Sequence, residues 1–106
     1  MTERDFHISA PKRSRSGGLV LSVHNRGPDA HELIVVRERS ARLPLRRDGS
    51  TVSEEKLEPI IVGTLEPGEP GSVRKLRLHL APGRYELFCN MSGHYLGGMH
   101  TTLVVG

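Results

Sequence analysis

The sequence predicts an all-β fold, a Greek-key β-sandwich of seven or eight strands. Short runs in which apolar and polar residues alternate are separated by Gly, Pro, Asn and Asp, a pattern typical of strands joined by turns. No heptad pattern, long amphipathic helix or internal repeat competes with this interpretation. With 106 residues the chain is long enough to bury a core of its own, and we expect residues 1–106 to form one domain.

Three strands are expected in the first third of the chain, at residues 6–10, 19–24 and 31–37. The first is suggested by the alternation of Phe6, Ile8 and Ala10. The second is followed by the turn-forming residues 25–28, Asn-Arg-Gly-Pro. The third contains a continuous apolar run, which favours a strand buried on both faces.

Residues 39–58 are the least regular part of the chain, and we expect a long surface excursion between the two sheets there. Within it, residues 53–56 favour one or two helical turns. A strand is predicted at 60–65, followed by a loop at 66–71 that is rich in Pro and Gly.

The clearest alternation is in the strand predicted at 72–80. It places Leu76, Leu78 and Leu80 on the core side and His79 towards solvent. Further strands are expected at 84–89 and 100–105. In the first of these, a period of two directs Tyr85 and Cys89 inward.

Composition excludes several classes of function. The 15 basic and 12 acidic residues are interspersed and leave a net charge of +3, which favours a solvated surface over a phosphate-binding patch. Trp is absent and aromatic residues make up 4% of the chain, so nucleic-acid binding through stacked bases is not expected. The single cysteine cannot form an internal disulfide. We expect a monomer.

Three possible metal ligands are evenly spaced near the C-terminus, as Cys89-x₄-His94-x₄-Met99. A fourth, His31, lies 58 residues upstream of the cysteine. Two imidazoles, one thiolate and a weak thioether are the ligands of a blue-copper electron-transfer site. Gly93, Gly97 and Gly98 supply the backbone freedom that so short a loop around a metal needs.

The same residues resemble the cupredoxins. The resemblance is carried by Gly83–Cys89, Gly93-His94-Tyr95, Gly98-Met99 and the upstream Asn25-x-Gly27-x₃-His31-Glu32-Leu33. The spacing is most similar to the rusticyanin, auracyanin and sulfocyanin-like branch. Many members of the family carry Asn or Ser directly after the first histidine, where this chain has Glu32.

This resemblance implies an eight-stranded sandwich with one type 1 copper ion held by His31, Cys89, His94 and Met99. It also implies outer-sphere electron transfer rather than enzymatic activity. The partner would be a redox protein such as a cytochrome or an oxidase, docking near His94. An extracytoplasmic location, periplasmic or membrane-tethered, is expected, with any signal or anchor lying outside this sequence.

Two other functions stay open at this point. A copper carrier or storage protein would hold exchangeable metal without shuttling electrons. A metal-free β-sandwich interaction module would keep the fold and lose the site. The wide separation of the ligands in sequence favours a closed, rigid site over a carrier.

The remaining candidate residues receive structural roles. Met91 is interpreted as loop packing, Tyr85 as the donor of a corner hydrogen bond and Asn90 as a brace between the two ligand segments. The other four histidines are expected to be structural or solvated: His7, His24, His79 and His100.

Overall fold

The computed structural model of the chain describes residues 1–5, 7–37, 51–91, 94–95 and 98–106. Strands dominate these residues, and the all-β prediction is confirmed. The strands are β1 (Thr2–Arg4), β2 (His7–Ser9), β3 (Arg13–Ser14), β4 (Gly17–Asn25), β5 (His31–Arg37), β6 (Ile61–Gly68), β7 (Val73–Leu80), β8 (Gly83–Phe88) and β9 (His100–Val105).

The strands form two sheets. One has the order β2-β1-β4-β7 and the other β3-β9-β8-β5-β6. Most pairs are antiparallel, but β1 runs parallel to β4 and β3 runs parallel to β9. After β6 the chain crosses to the first sheet for β7 and returns beside β5 as β8. Because β7 returns to pair with β4, the strands β4 to β7 follow the return of the fourth strand to the first that defines a Greek key.

The main core lies between the sheets. Leu76, Leu78 and Leu80 on β7 contribute to it, and His79 between them is exposed, as the alternation predicted. β5 is buried on both faces, as expected. Its Leu33 faces the main core, whereas Ile34 joins a second cluster on the outer side of the sheet.

This second cluster corrects one expectation about the connection after β5. Helix α1 (Glu54–Leu57) and a 3-10 helix (Glu58–Ile60) occupy the end of that segment, so the predicted helical turns are confirmed. The connection does not run between the two sheets as expected, because it joins β5 to β6 within one sheet. Val52 and Leu57 pack against Phe88 and are buried there. The expectations for residues 39–50 lie outside the described residues.

Two further boundaries differ from the sequence prediction. β6 continues to Gly68, through Pro67, where a loop was expected. Proline is tolerated because β6 is an edge strand that pairs only with β5. At the N-terminus, β1 and β3 were not predicted, since neither is long enough to show alternation. The first predicted strand corresponds to β2, with Ile8 buried, and Phe6 lies outside the described residues.

The connection between β7 and β8 is fastened as predicted. The Tyr85 hydroxyl donates a hydrogen bond to the carbonyl of Ala81 at 2.7 Å. Among the described residues there is no helix of the length and apolarity required to cross a bilayer.

Candidate metal centre

The four residues predicted to hold a metal lie at strand ends that the sheet brings together. His31 begins β5, Cys89 directly follows β8 and Met99 directly precedes β9. β8 pairs with both β5 and β9, with Phe88 opposite Ile34 on one side and His100 on the other. These three residues therefore meet at one end of the five-stranded sheet, and His94 lies in the loop between Cys89 and Met99.

Three of the four side chains converge in a buried pocket. Cys89 Sγ lies 3.4 Å from His94 Nδ1 and 3.9 Å from His31 Nδ1. Every pair of these three donor atoms is separated by at most 4.8 Å. Cys89 and His31 are fully buried, and 6% of the His94 surface is exposed. The imidazole rings are tilted by 57°, with centroids 5.1 Å apart.

These separations fit one shared metal ion. Nitrogen and sulfur donors bind a divalent ion such as zinc at about 2.0–2.3 Å. At those bond lengths, donors in trigonal or tetrahedral geometry are roughly 3.5–3.8 Å apart. The measured distances of 3.4 and 3.9 Å bracket this range. The set of one sulfur and two imidazole nitrogens matches the trigonal donors of a type 1 copper site.

Met99 lies against this group. It is fully buried and packs in an apolar cluster with Cys89 and Ile8. Two backbone hydrogen bonds tie Met99 to the loop that carries His94. The Met99 carbonyl accepts from Cys89 N at 3.1 Å, and Met99 N donates to the His94 carbonyl at 3.0 Å. Met91 packs on the edge of the same cluster, consistent with loop packing. Ligation by Met99 stays a prediction.

Burial favours the uncharged forms of Cys89 and His31 in the metal-free pocket. Burial raises the pKa of Cys89 to about 11, and hydrogen bonding from the backbone of Met91 and Glu32 offsets only part of this effect. Burial lowers the pKa of His31, with the charge of Asp5 acting in the opposite direction. Near pH 7 the metal-free site thus holds a thiol and a neutral His31, and metal binding must displace the thiol proton.

A side-chain link between the two ligand segments runs through Glu32. Its Oε1 accepts a hydrogen bond from Asn90 N at 3.1 Å. The Asn90 side chain turns the other way, because its Oδ1 accepts from Val52 N at 2.6 Å and its Nδ2 donates to Val52 O and to Glu54 Oε2. Asn90 therefore braces the cysteine loop against the segment before α1, while Glu32 supplies the connection to the first histidine.

Two carboxylates that the sequence reasoning missed lie at the outer edges of the imidazoles. Asp5 Oδ1 is 2.9 Å from His31 Nε2, at ion-pair distance although out of line with the ring N–H. Asp29 Oδ2 is 3.4 Å from His94 Nε2. The position of Asp29 within the Asn25-x-Gly27-x₃-His31 motif was the one available signal. Nothing in the sequence pattern singled out Asp5.

The remaining histidines lie outside the cluster, as expected. His7, His79 and His100 are exposed, and His24 is half-buried. His100 follows Met99 but points to the other side, where its Nδ1 lies 3.0 Å from Glu86 Oε1. His94 is largely covered, with only 8% of its side chain exposed. Leu96 and Gly97 of the same loop lie outside the described residues.

Comparison with known proteins identifies the fold. Neither a protein-family model nor a curated protein matches the chain. Among solved structures, it is similar to a dithionite-reduced auracyanin from the photosynthetic bacterium Roseiflexus castenholzii, with 18% identity, a TM-score of 0.67 and coverage of 91% of this chain and 85% of the auracyanin. It is similar to an azurin from Methylomonas sp. strain J, with 14% identity, a TM-score of 0.67 and coverage of 99% and 94%.

The chain is also similar to rusticyanin from Thiobacillus ferrooxidans, with 15% identity and a TM-score of 0.69. This match covers 89% of the chain but 59% of the rusticyanin, so the chain spans little more than half of that protein. The fold shared with auracyanin, azurin and rusticyanin is the cupredoxin fold. The resemblance seen in the ligand motifs is therefore confirmed at the level of the fold.

Proposed function

We propose that the protein binds one copper ion in a type 1 site and carries single electrons between redox partners. The observation that carries the proposal is the buried convergence of Cys89 Sγ with the Nδ1 atoms of His31 and His94. These donors come from segments 58 residues apart, and both segments are fixed by strand pairing. A preformed pocket of this composition is suited to copper in both of its common oxidation states.

Each residue has a distinct role in this proposal. Cys89 would hold copper as a thiolate, His31 and His94 would bind it through Nδ1, and Met99 would offer a weak thioether. When bound, copper supplies a one-electron couple between Cu(II) and Cu(I). The protein would restrict movement of the donors, because three of the four are fully buried and the loop is closed by the backbone hydrogen bonds of Met99. Small rearrangement favours fast electron transfer.

The proposal extends to partners and location. The protein is not an enzyme, and its partner is a redox protein such as a cytochrome or an oxidase that docks near His94. Exposed Pro28 and Gly98 belong to the two segments that meet at this histidine. The proposed location is extracytoplasmic, as implied by the resemblance to cupredoxins. We propose a monomer that does not bind nucleic acid.

The decisive experiment is Cu(II) loading of the purified protein, followed by absorption and electron paramagnetic resonance spectra. We expect an intense blue thiolate-to-Cu(II) charge-transfer band that is bleached reversibly by ascorbate. Cys89→Ala should abolish the band, and His94→Ala should abolish or strongly shift it. His100→Ala is the matched control, because His100 faces away from the pocket and should leave the spectrum unchanged. A Cys89→Ala protein that stays blue would rule out the proposal.

The same samples test the two alternative functions. A copper carrier would bind Cu(I) exchangeably, without the blue band. A metal-free interaction module would retain well under one copper per chain even after incubation with Cu(II). Either result contradicts electron transfer by this chain.

A further inference from the structure

Each imidazole ring in the pocket has the Cys89 sulfur near one edge and a carboxylate near the other. Their Nδ1 atoms face Cys89 Sγ, at 3.4 Å for His94 and 3.9 Å for His31. Their Nε2 atoms face carboxylates, with His94 Nε2 3.4 Å from Asp29 Oδ2 and His31 Nε2 2.9 Å from Asp5 Oδ1. Each ring is thus placed between the sulfur and a negative charge.

Hydrogen bonds fix the carboxylate of Asp5 and the backbone of Asp29. Asp29 N donates to Asp5 Oδ1 at 3.2 Å, and Asp5 N donates to the Gly27 carbonyl at 3.1 Å. The Asn25 side chain, which is buried, donates to the Asp29 carbonyl at 3.0 Å and accepts a hydrogen bond from Gly27 N at 2.7 Å. The β1–β2 turn and the loop before β5 are therefore joined where the two carboxylates lie.

The chemistry of imidazole explains why this placement matters. A neutral imidazole carries its proton on one ring nitrogen and offers the other as a ligand, and the partner of the outer nitrogen decides which. A carboxylate at Nε2 favours the Nε2–H tautomer, which leaves the Nδ1 lone pair directed at the metal. It also makes the imidazole a stronger electron donor.

We propose that Asp29, braced by Asp5, is a positioning residue for His94. It fixes the ring as the Nε2–H tautomer with Nδ1 directed at the pocket, and its charge favours Cu(II) over Cu(I). The second part rests on the proposed copper function, whereas the first concerns the metal-free protein. Asp29 is well placed for this role, because 56% of its side chain is exposed while its partner ring is almost covered.

The test compares Asp29→Ala with Asp29→Asn. Alanine removes both the charge and the hydrogen-bond acceptor, whereas asparagine removes the charge and keeps an acceptor oxygen. Glu55→Gln is the matched control, since it removes one negative charge from an exposed position on α1 for which the structure gives no contact with either imidazole. Each variant is examined by ¹⁵N NMR of the metal-free protein, which reports the His94 tautomer, and by the reduction potential of the copper-loaded protein.

In the wild-type protein we expect His94 as the Nε2–H tautomer. Asp29→Ala should lower the tautomer ratio by about fivefold, the effect of removing a carboxylate 3.4 Å from Nε2 at a partly exposed site. Asp29→Asn should retain the tautomer. Both variants should shift the Cu(II)/Cu(I) equilibrium towards Cu(I) by roughly tenfold, equivalent to about 59 mV. Glu55→Gln should leave both readouts unchanged.

Unchanged tautomer and potential in Asp29→Ala would overturn the proposal, as would an equal shift in potential in Glu55→Gln. The outcomes also separate this inference from the copper function. A blue protein whose Asp29 variants match the wild type refutes only the role of Asp29. A protein that never turns blue refutes the copper function and the effect on potential, while the tautomer measurement still decides the positioning role.

Discussion

Replacing Glu3 by glutamine should stabilise the metal-free protein at neutral and alkaline pH. Glu3 lies in β1 with no exposed surface, and neither of its carboxylate oxygens has a hydrogen-bond partner among the described residues. Burial raises its pKa from 4.5 to about 7. The positive charge of Arg74 acts against this effect, and the charge of Glu32 adds to it.

The direction of the pH dependence follows from proton binding. Between pH 4.5 and about 7, the folded protein keeps a proton on Glu3 that the unfolded chain has already released. The free energy of unfolding therefore falls as the pH rises through this range and levels off above it. At about 1.36 kcal/mol for each pKa unit, ionisation of Glu3 costs about 3 kcal/mol of stability at pH 8. Glutamine cannot ionise and avoids this loss.

Urea unfolding of both proteins at intervals from pH 4.5 to 8.5 measures the effect. The free energy of unfolding of Glu3→Gln relative to the wild type should rise by about 3 kcal/mol across that range. Any effect of the amide that is the same at every pH does not alter this rise. Glu55→Gln serves as the control, because Glu55 is exposed and its removal should leave the wild-type pH profile in place. Parallel profiles for Glu3→Gln and the wild type would refute the reasoning.

Two further substitutions test other parts of the structure. Met99→Gln should keep copper bound while lowering the reduction potential by at least about 59 mV, a tenfold change in the equilibrium, because an oxygen donor favours Cu(II) more than a thioether does. Voltammetry measures this, and Met91→Gln should leave the potential unchanged. Gly68→Ala should destabilise the fold by about 1 kcal/mol in urea unfolding, because the flexible Arg74 guanidinium must move aside for the added Cβ and loses its hydrogen bonds to two backbone carbonyls. Gly18→Ala, with nothing within 4 Å of its added Cβ, should stay within about 0.5 kcal/mol of the wild type. Equal effects in the two glycine variants would contradict the steric argument.

The parts of the fold that the sequence predicted are those specified by local periodicity. The alternation of Leu76, Leu78 and Leu80 about His79 reports a strand with one face in the core, and the structure has that arrangement. The spacing of Cys89 and His94 was sufficient to place their side chains together, because few residues separate them. In both cases the information lies within about ten residues of chain.

The sequence could not predict features that depend on pairing between distant segments. β1 has three residues and a buried glutamate at its centre, so its composition argues against a strand. It forms because it is held between β2 and β4. The segment containing Val52 was expected on the surface for the same reason. This segment packs against the Phe88 side of the sheet, and its own sequence does not indicate that contact.

Glu32 shows how a departure from a family pattern can preserve a structural role. Many cupredoxins carry Asn or Ser directly after the first histidine, where this chain has a carboxylate. The structure shows that the position needs an acceptor for Asn90 N, and a carboxylate oxygen provides one at 3.1 Å. The cost is partial desolvation of a half-buried carboxylate, since burial raises the pKa of Glu32 to about 7 and the nearby charge of Glu54 adds to the effect. Asn90 moderates that proximity because its side-chain amide donates to Glu54 at 2.7 Å. The link thus depends on a three-residue arrangement whose members are separated along the chain, so the identity of residue 32 alone could not reveal it.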